Sequence, residues 1–186
     1  MGGAPRFSHT SRGADYFTFP LTARRLSGAG DTVNVILPER LLGEIQPAEG
    51  GRVRVLGEVR SFNNRSGVGS RLVISVFARA LLPGEGEDLN RVVLRGTLCK
   101  PPNLRRTPMG REICDLMLAV NRPCGKSDYL PCIAWGHAAE TASCWRVGTS
   151  AGIDGRLQSR VYVKQTELGE TEKTAYEVSV GSFFGI

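Results

Sequence analysis

Two segments in the second half of the chain, residues 129–135 and 153–163, carry aromatic and basic side chains at alternating positions. Because successive side chains of a strand point to opposite faces, each segment has an outer face and a face toward a core. The outer face of the first segment carries Tyr129, Pro131, Ile133 and Trp135, with Leu130, Cys132 and Ala134 opposite. The outer face of the second carries Asp154, Arg156, Gln158, Arg160 and Tyr162, with Ile153, Gly155, Leu157, Ser159 and Val161 toward the core. Arginines for phosphates and flat rings for unstacked bases are what single-stranded nucleic acid requires of a curved sheet.

These side chains also have ordinary structural explanations. Tyr129 and Trp135 could be aromatic residues at the edge of a core, and Arg156 and Arg160 a solvated strand face. The sequence leaves both interpretations open for these four residues.

The charge of the chain agrees with an anionic ligand. Lys and Arg number 24 against 18 Asp and Glu, for a formal net charge of +6. Twenty of the 24 cations are arginine, whose planar fork matches phosphate and stacks on bases. A bias of the genome toward arginine codons explains the composition equally well, so charge alone does not decide.

Catalytic and metal-binding motifs are lacking. Residues 148–152 match G-x-S-x-G, but the expected helix precedes this segment and a strand follows it, the reverse of a nucleophile elbow. Only His9 and His137 could serve as a base. No phosphate-binding loop occurs, and no C-x-x-C pair exists among the cysteines, which are Cys99, Cys114, Cys124, Cys132 and Cys144. We predict a protein that is not an enzyme and needs no metal or cofactor.

The chain also lacks the signals of export and membrane insertion. No apolar run reaches the roughly 18 residues that a membrane helix needs, and the start of the chain lacks a signal-peptide core. An odd number of cysteines, all in the second half, argues against a disulfide framework. We expect a cytoplasmic, nucleoid-associated protein with no membrane partner.

Short segments of alternating polarity between turn residues predict an all-β protein. Only residues 39–45 and 137–147 have a helical pattern, and in the second Ala138, Ala142 and Trp145 share an apolar face. We therefore expect Trp145 to plug a core.

An internal repeat divides the chain. Residues 55–61 resemble residues 153–159 when Gly57 is aligned with Gly155, and residues 73–76 resemble residues 177–180. We predict two tandem OB-fold barrels: a five-stranded Greek-key barrel with one helix in the C-terminal copy, and a thinner OB-like copy before it that lacks a strand. The predicted boundaries are a flexible tail at 1–13, a degenerate OB-like domain at 14–83, a linker at 84–88 and the main OB domain at 89–186.

The second copy resembles a known family, the bacterial single-stranded DNA-binding proteins. The similar segments are residues 89–96, 104–110, 118–122, 129–135, 139–140 and 151–162. The resemblance implies an OB fold and sequence-tolerant binding of single-stranded DNA in replication, recombination or repair. It implies stacking by Tyr129, Trp135 and Tyr162, and phosphate contacts from Arg156 and Arg160. The other candidate nucleic-acid contacts in this half are Arg95, Arg105, Arg106, Arg122 and Lys164.

The sequence departs from that family at three places. The short loop 123–128 has no counterpart of the family's extra aromatic residue, so we expect no extended DNA-wrapping finger there. Glu58 stands where the second copy has Arg156, so the first barrel either binds DNA weakly through Arg54, Arg60 and Phe62 or serves in assembly. The chain stops after the last strand without the family's acidic tip, so we expect no recruitment of enzymes through such a tip.

Two hypotheses about partners follow. The first is a homo-oligomer that binds single-stranded DNA, a dimer with four barrels or alternatively a tetramer, since the family's barrels work in fours. The second is an OB-fold replication or recombination adapter that works mainly through protein contacts. RNA remains an open ligand, because stacking and phosphate contacts do not discriminate the sugar.

Overall fold

The computed structural model of the protein describes residues 1–43, 45, 48–64, 70–166 and 169–185. Within these residues it contains eleven strands, one short 3₁₀ turn and one α-helix, so the all-β prediction is confirmed. The elements of the first half are β1 (Arg6–Ser11), β2 (Ala14–Arg24), β3 (Gly30–Pro38), the 3₁₀ turn (Glu39–Leu41), β4 (Val53–Asn63) and β5 (Leu72–Pro83). Those of the second half are β6 (Val92–Leu98), β7 (Asn103–Arg106), β8 (Glu112–Asn121), β9 (Ser127–Trp135), α1 (His137–Ser143), β10 (Ser150–Thr166) and β11 (Gly169–Phe184).

The chain divides into two compact units. The first comprises Met1–Arg60 and Ile74–Leu89, and the second comprises Ser61–Val73 and Asn90–Ile186. The tips of β4 and β5 therefore belong to the second unit, although the rest of both strands belongs to the first. The predicted linear boundaries at 83 and 89 do not anticipate this exchange, because a sequence pattern carries no information about which unit a hairpin tip packs on.

The second unit is a closed barrel. Its strands follow the order β6-β10-β11-β9-β8-β7, and an additional pairing of β6 with β8 closes the ring. All ladders are antiparallel except that of β9 with β11. Five strands in the closed ring, with one helix between the third and fourth, form the predicted OB barrel. Strand β7 pairs outside the ring.

Alternation places the core of this barrel as predicted. Leu130, Cys132 and Ala134 of β9 are buried, and so are Ile153 and Leu157 of β10. Burial raises the pKa of the Cys132 thiol, so this cysteine packs as a small neutral core residue.

The first unit is a five-stranded sheet of order β1-β2-β3-β5-β4, in which β3 pairs with β5 in parallel as β9 does with β11. Among the described residues this unit has no counterpart of the closing strand β6, as the prediction of a thinner copy requires. The first two residues lie in its place: the Gly2 amide donates to the Pro20 carbonyl, as the Cys99 amide donates to the Met117 carbonyl in the second unit. Its core contains Phe19, Val35, Leu37, Leu41, Ala78 and Leu81.

The aligned glycines explain the repeat physically. A Cβ on Gly155 would lie 2.2 Å from the Ser179 carbonyl oxygen, and a Cβ on Gly57 would lie 2.4 Å from the Phe77 carbonyl oxygen. Both positions therefore require glycine, because the neighbouring strand passes too close for any side chain. The same close approach at the same place in each unit fixes a correspondence in which Phe77 aligns with Ser179. The sequence alignment of residues 73–76 with residues 177–180 was therefore wrong by two residues, although that of Gly57 with Gly155 is confirmed.

Three local predictions were wrong. Residues 6–11 are not a flexible tail: they form β1, joined to β2 by a turn in which Arg12 and Gly13 both have positive φ, 51° and 75°. The second helix ends at Ser143 instead of residue 147, because the Cys144 and Trp145 amides already bond carbonyls three residues back. The third wrong prediction is the apolar face of this helix: its buried residues are Ala139 and Ala142, whereas Ala138 and Trp145 are only partly buried.

The two long strands β10 and β11 extend beyond the barrel. Strand β6 pairs with β10 only over Ser150–Gly155, whereas β10 and β11 stay paired out to Thr166 and Gly169. Val161, predicted to face a core, is 62% exposed, because β6 pairs with β10 only up to Gly155 and no other described strand covers this part of the hairpin. The extended finger of this unit is the β10–β11 hairpin, and the β8–β9 turn is short, as predicted.

Candidate nucleic-acid interface

The outer face of the second barrel brings together elements that are distant in sequence. Arg105 of β7 lies opposite Ile113 of β8, which lies opposite Trp135 of β9. Directly paired residues of neighbouring strands project to the same face, so these three side chains form one row across the sheet. Arg105 and Trp135 are exposed, whereas Ile113 between them is only 2% exposed. On the other side of β9, Ile133 is paired with Ser179 of β11.

The predicted aromatic residues of β9 are exposed on this face. Tyr129 is 49% exposed and Trp135 is 38% exposed, while Leu130, Cys132 and Ala134 on the opposite face are buried. Ile133 was predicted for the outer face, but it is only 4% exposed, so that part of the prediction was wrong. A half-exposed ring held at its base by the sheet can receive a base on its open side. On β10, the Arg160 guanidinium lies 5.8 Å from the centre of the partly buried Tyr162 ring, a cation–π contact.

Two arginines of β10 are available to bind an anionic ligand. Arg156 and Arg160 are both exposed, and neither has an acidic partner among the described residues. Asp154, two positions before Arg156, is neutralised by Arg91, whose guanidinium donates to both carboxylate oxygens at 3.2 and 2.5 Å. These hydrogen bonds hold the pKa of Asp154 below its ordinary value. The β10 face therefore presents positive charge to a ligand.

Gln158 differs from its prediction. It belongs to the outer face by register but is only 8% exposed, and its amide donates to the Glu177 carboxylate at 2.6 Å. Gln158 of β10 is directly opposite Glu177 of β11 in the antiparallel ladder, so the two side chains lie next to each other. Gln158 is consequently a packed polar residue of the sheet and not part of the exposed row.

The remaining predicted cations differ in whether an acidic partner binds them. Arg105 donates to Asp115, and Arg106 donates to Glu112. Arg95 lies 5.7 Å from the centre of the Phe184 ring with no acidic partner among the described residues. The side chain of Lys164 lies outside the described part of the structure. Phosphate contact by these four residues stays a prediction.

Arg122 has a structural partner that the sequence pattern did not reveal. Its guanidinium donates to both carboxylate oxygens of Asp128, which is 1% exposed, and also to the Ser61 carbonyl. Asp128 accepts a further hydrogen bond from the Ser61 amide at 2.6 Å, and the Tyr129 amide donates to the Ser61 hydroxyl at 2.7 Å. These three residues attach the tip of β4 next to Tyr129 within the second unit. Phosphate contact by Arg122 also stays a prediction.

The residues predicted for the first barrel lie on β4. Arg54 and Phe62 are exposed, and Phe62 is in the tip that belongs to the second unit. Arg60 and Arg79 both donate to the Glu58 carboxylate. The repulsion of phosphate expected from Glu58 is therefore offset by two guanidinium groups.

The first unit contains an aromatic group that was not predicted from the sequence. The rings of His9 and Tyr16 are stacked, with centres 5.0 Å apart and an interplanar angle of 10°, and Tyr16 lies 5.7 Å from Phe77. A signal was present: the alternating residues on either side of Arg12-Gly13 are typical of a tight hairpin. This hairpin was not predicted because residues 1–13 were interpreted as a flexible tail.

The described residues hold no cluster of His, Cys, Asp and Glu that could bind a metal ion. Nor is there, in the described chain, a helix long and apolar enough to cross a membrane.

A closed five-stranded barrel that carries exposed rings on one face, together with arginines that have no acidic partner in the described part of the chain, defines an OB-fold protein. The sequence model of the single-strand binding protein family matches residues 89–183, slightly more than half of the chain, and the chain belongs to that family. The family and the relatives below are DNA-binding proteins and not enzymes.

Similar proteins agree with this assignment. Single-stranded DNA-binding protein A of Bacillus subtilis is 44% identical over 84 residues, covering 41% of this chain and 49% of that protein. The single-stranded DNA-binding protein of Halalkalibacterium halodurans is 43% identical over 81 residues, covering 40% of this chain and 48% of that protein. The chain thus spans about half the length of the curated relatives it matches. The wild-type single-stranded DNA binding protein from Thermus aquaticus has a crystal structure that aligns with a TM-score of 0.78 at 25% identity, covering 98% of this chain and 87% of that chain.

Proposed function

We propose that this protein binds single-stranded DNA with little regard to base sequence and protects it during replication, recombination or repair. The observation that supports this most directly is the outer face of the second barrel. There, Tyr129 and Trp135 offer exposed rings, and Arg156 and Arg160 offer guanidinium groups without acidic partners among the described residues. Stacking and phosphate contact of this kind tolerate any base, because every base has a π-face. We place this activity in the cytoplasm, at the nucleoid.

A salt titration tests the electrostatic part of this proposal. Each phosphate contact releases counterions, so log K should fall with log salt by about 0.7 for each contact on a single strand. Arg156→Ala or Arg160→Ala is expected to reduce the steepness of that dependence by up to about one unit. Affinity for oligo-dT, oligo-dA and duplex DNA is measured across a salt series by fluorescence anisotropy, with an RNA strand of the same sequence as a further ligand.

Arg40→Ala supplies the matched control. Arg40 is an exposed arginine of the first unit beyond the strands that form the interface, and its loss removes the same charge. The control should leave the salt dependence unchanged. A flat salt response in the unmodified protein, or a preference for duplex, contradicts the proposal. Affinity weaker than tens of micromolar at moderate salt would instead favour the protein adapter.

We further propose that the chain acts as a homodimer, with a tetramer as the alternative. Two chains with two barrel units each supply four, the number with which the family works, and two-fold closure is the commonest symmetry of homo-oligomers. Light scattering at micromolar concentration should give twice the chain mass of 20.1 kDa. A monomer that still binds single-stranded DNA tightly would contradict the dimer.

A further inference from the structure

Ser61, in the tip of β4 that belongs to the second unit, bonds next to Tyr129 through all three of its polar groups. Its amide donates to the Asp128 carboxylate at 2.6 Å, and its carbonyl accepts from the Arg122 guanidinium at 3.3 Å. Its hydroxyl accepts from the Tyr129 amide at 2.7 Å. Ser61 is only 7% exposed, so little water competes for these hydrogen bonds. The tip is therefore fixed to the second unit at the residue before the exposed ring.

The Tyr129 amide lies on a part of β9 where the barrel itself supplies little. Strand β9 pairs with β8 along its whole length, but its described ladder with β11 includes only Cys132 and Ile133. Pro131, the alternate residue between Tyr129 and Ile133, has no amide hydrogen to donate. A backbone amide that is shielded from water needs an acceptor, and here the Ser61 hydroxyl is that acceptor.

The direction of the Tyr129 ring depends on this backbone bond. The ring is 49% exposed, and it packs against no other aromatic ring in the part of the chain that the structure describes. In a strand the backbone sets the direction in which a side chain leaves the sheet. An amide held by Ser61 therefore holds the ring in one direction, and a ring that is already oriented loses less conformational freedom when a base stacks on it.

We propose that Ser61 is a positioning residue for the stacking of a DNA base on Tyr129. Its hydroxyl holds the Tyr129 backbone, while Asp128 and Arg122 hold Ser61 itself through its amide and carbonyl. Ser61 acts through Tyr129 and contacts no base. This inference rests on the proposed function and deepens it, because it assigns to the β4 tip a part in DNA binding by the second unit.

A double-mutant cycle in the full chain tests this proposal. Ser61→Ala should weaken the binding of oligo-dT about 5-fold, at the lower end of the roughly 5- to 150-fold loss expected when a stacked ring is removed. In a Tyr129→Ala background the same substitution should change affinity less than about 2-fold, because no ring is left to position. In a Trp135→Ala background the whole loss of about 5-fold should remain. Fluorescence anisotropy of a labelled strand at one fixed salt concentration measures all these affinities.

Ser70→Ala is the matched control. Ser70 lies in the same tip, and its hydroxyl donates to the Thr174 carbonyl at 3.3 Å, so its loss removes a tether of the tip that does not reach Tyr129. Affinity should be unchanged in this variant. Ser61→Thr keeps the hydroxyl and should restore binding to that of the unmodified chain. Thermal melting verifies that each variant is folded, and if Ser61→Thr does not fold, the double-mutant cycle alone decides.

A spectroscopic measurement separates positioning from a general loss of stability. The chain has four tyrosines, so uniform labelling with 3-fluorotyrosine gives few fluorine resonances, and Tyr129→Phe identifies that of Tyr129. In Ser61→Ala this resonance should shift or broaden, and oligo-dT should displace it less than in the unmodified chain. The resonance of Tyr162, on β10, should not change.

Three results would overturn the proposal. They are an unchanged affinity in Ser61→Ala, an equal effect of Ser61→Ala in all three backgrounds, and an equal loss in Ser70→Ala. A folded Ser61→Thr that binds as weakly as Ser61→Ala would do so as well. If Tyr129→Ala binds as tightly as the unmodified chain, the positioning role fails while the proposed function stands. If the unmodified chain binds no single strand, the proposed function fails too, so the two failures are distinguishable.

Discussion

Replacing Asp128 with alanine is expected to lower the free energy of unfolding by about 3–5 kcal/mol. The side chain of Asp128 is 2% exposed and that of its partner Arg122 is 22% exposed, so the substitution leaves a largely buried guanidinium without its counter-charge. It also removes the acceptor of the Ser61 amide. Urea denaturation of the full chain, monitored by circular dichroism, measures the change in the free energy of unfolding.

Asp115→Ala provides the comparison for Asp128→Ala. Asp115 forms the same kind of pair with Arg105, but there the side chains are 38% and 44% exposed. Water screens exposed pairs, so this variant should change stability by no more than about 1 kcal/mol. Equal losses in the two variants would mean that burial does not govern the contribution of Asp128.

The two tryptophans are expected to respond in opposite ways to alanine substitution. Trp135→Ala should weaken binding of single-stranded DNA by about 1–3 kcal/mol, because it removes an exposed stacking surface. Trp145→Ala should instead reduce folding stability by about 3 kcal/mol. Trp145 is partly buried and packs edge-to-face on Phe183, with ring centres 4.6 Å apart. Fluorescence titration with oligo-dT and thermal denaturation separate the two effects.

The phenylalanine variants test which tryptophan reports binding. Quenching by DNA should persist in Trp145→Phe and disappear in Trp135→Phe. The reverse result would move the binding face to the end of the barrel where Trp145 meets Phe183. Equal partial quenching in both variants would also contradict the assignment of Trp135 as the stacking residue.

Alternation and residue type were sufficient to predict much of the second barrel. The period of two in residues 129–135 correctly placed Tyr129 and Trp135 outside and Leu130, Cys132 and Ala134 inside, because a strand covered on one face must alternate. The repeat was detectable for an equally local reason. Gly57 and Gly155 each face a backbone carbonyl at a distance that no side chain tolerates, so the glycine persists where most other residues differ.

The failures of sequence-based prediction came from partners that are distant in the chain. Gln158 has the pattern of an exposed residue, but its burial depends on Glu177 in the neighbouring strand. Val161 has the pattern of a core residue, but none of the described strands lies over it, because β6 ends its pairing with β10 at Gly155. Helix length was overestimated because propensity does not register the turn that leads into β10.

Local sequence patterns are sufficient to predict that this chain forms two related β units and that the second presents arginines and rings on one face. Both follow from local physics, since side-chain alternation and the glycine requirement act within a single strand. The availability of each cation depends on the folded chain, because ion pairs form between side chains that folding brings together. Arg122 binds Asp128 and Ser61, while Arg156 has no acidic partner among the described residues. The tertiary structure also brings His9, Tyr16 and Phe77 together from three strands, a juxtaposition that exists only once the pairing of β1, β2, β3 and β5 is set.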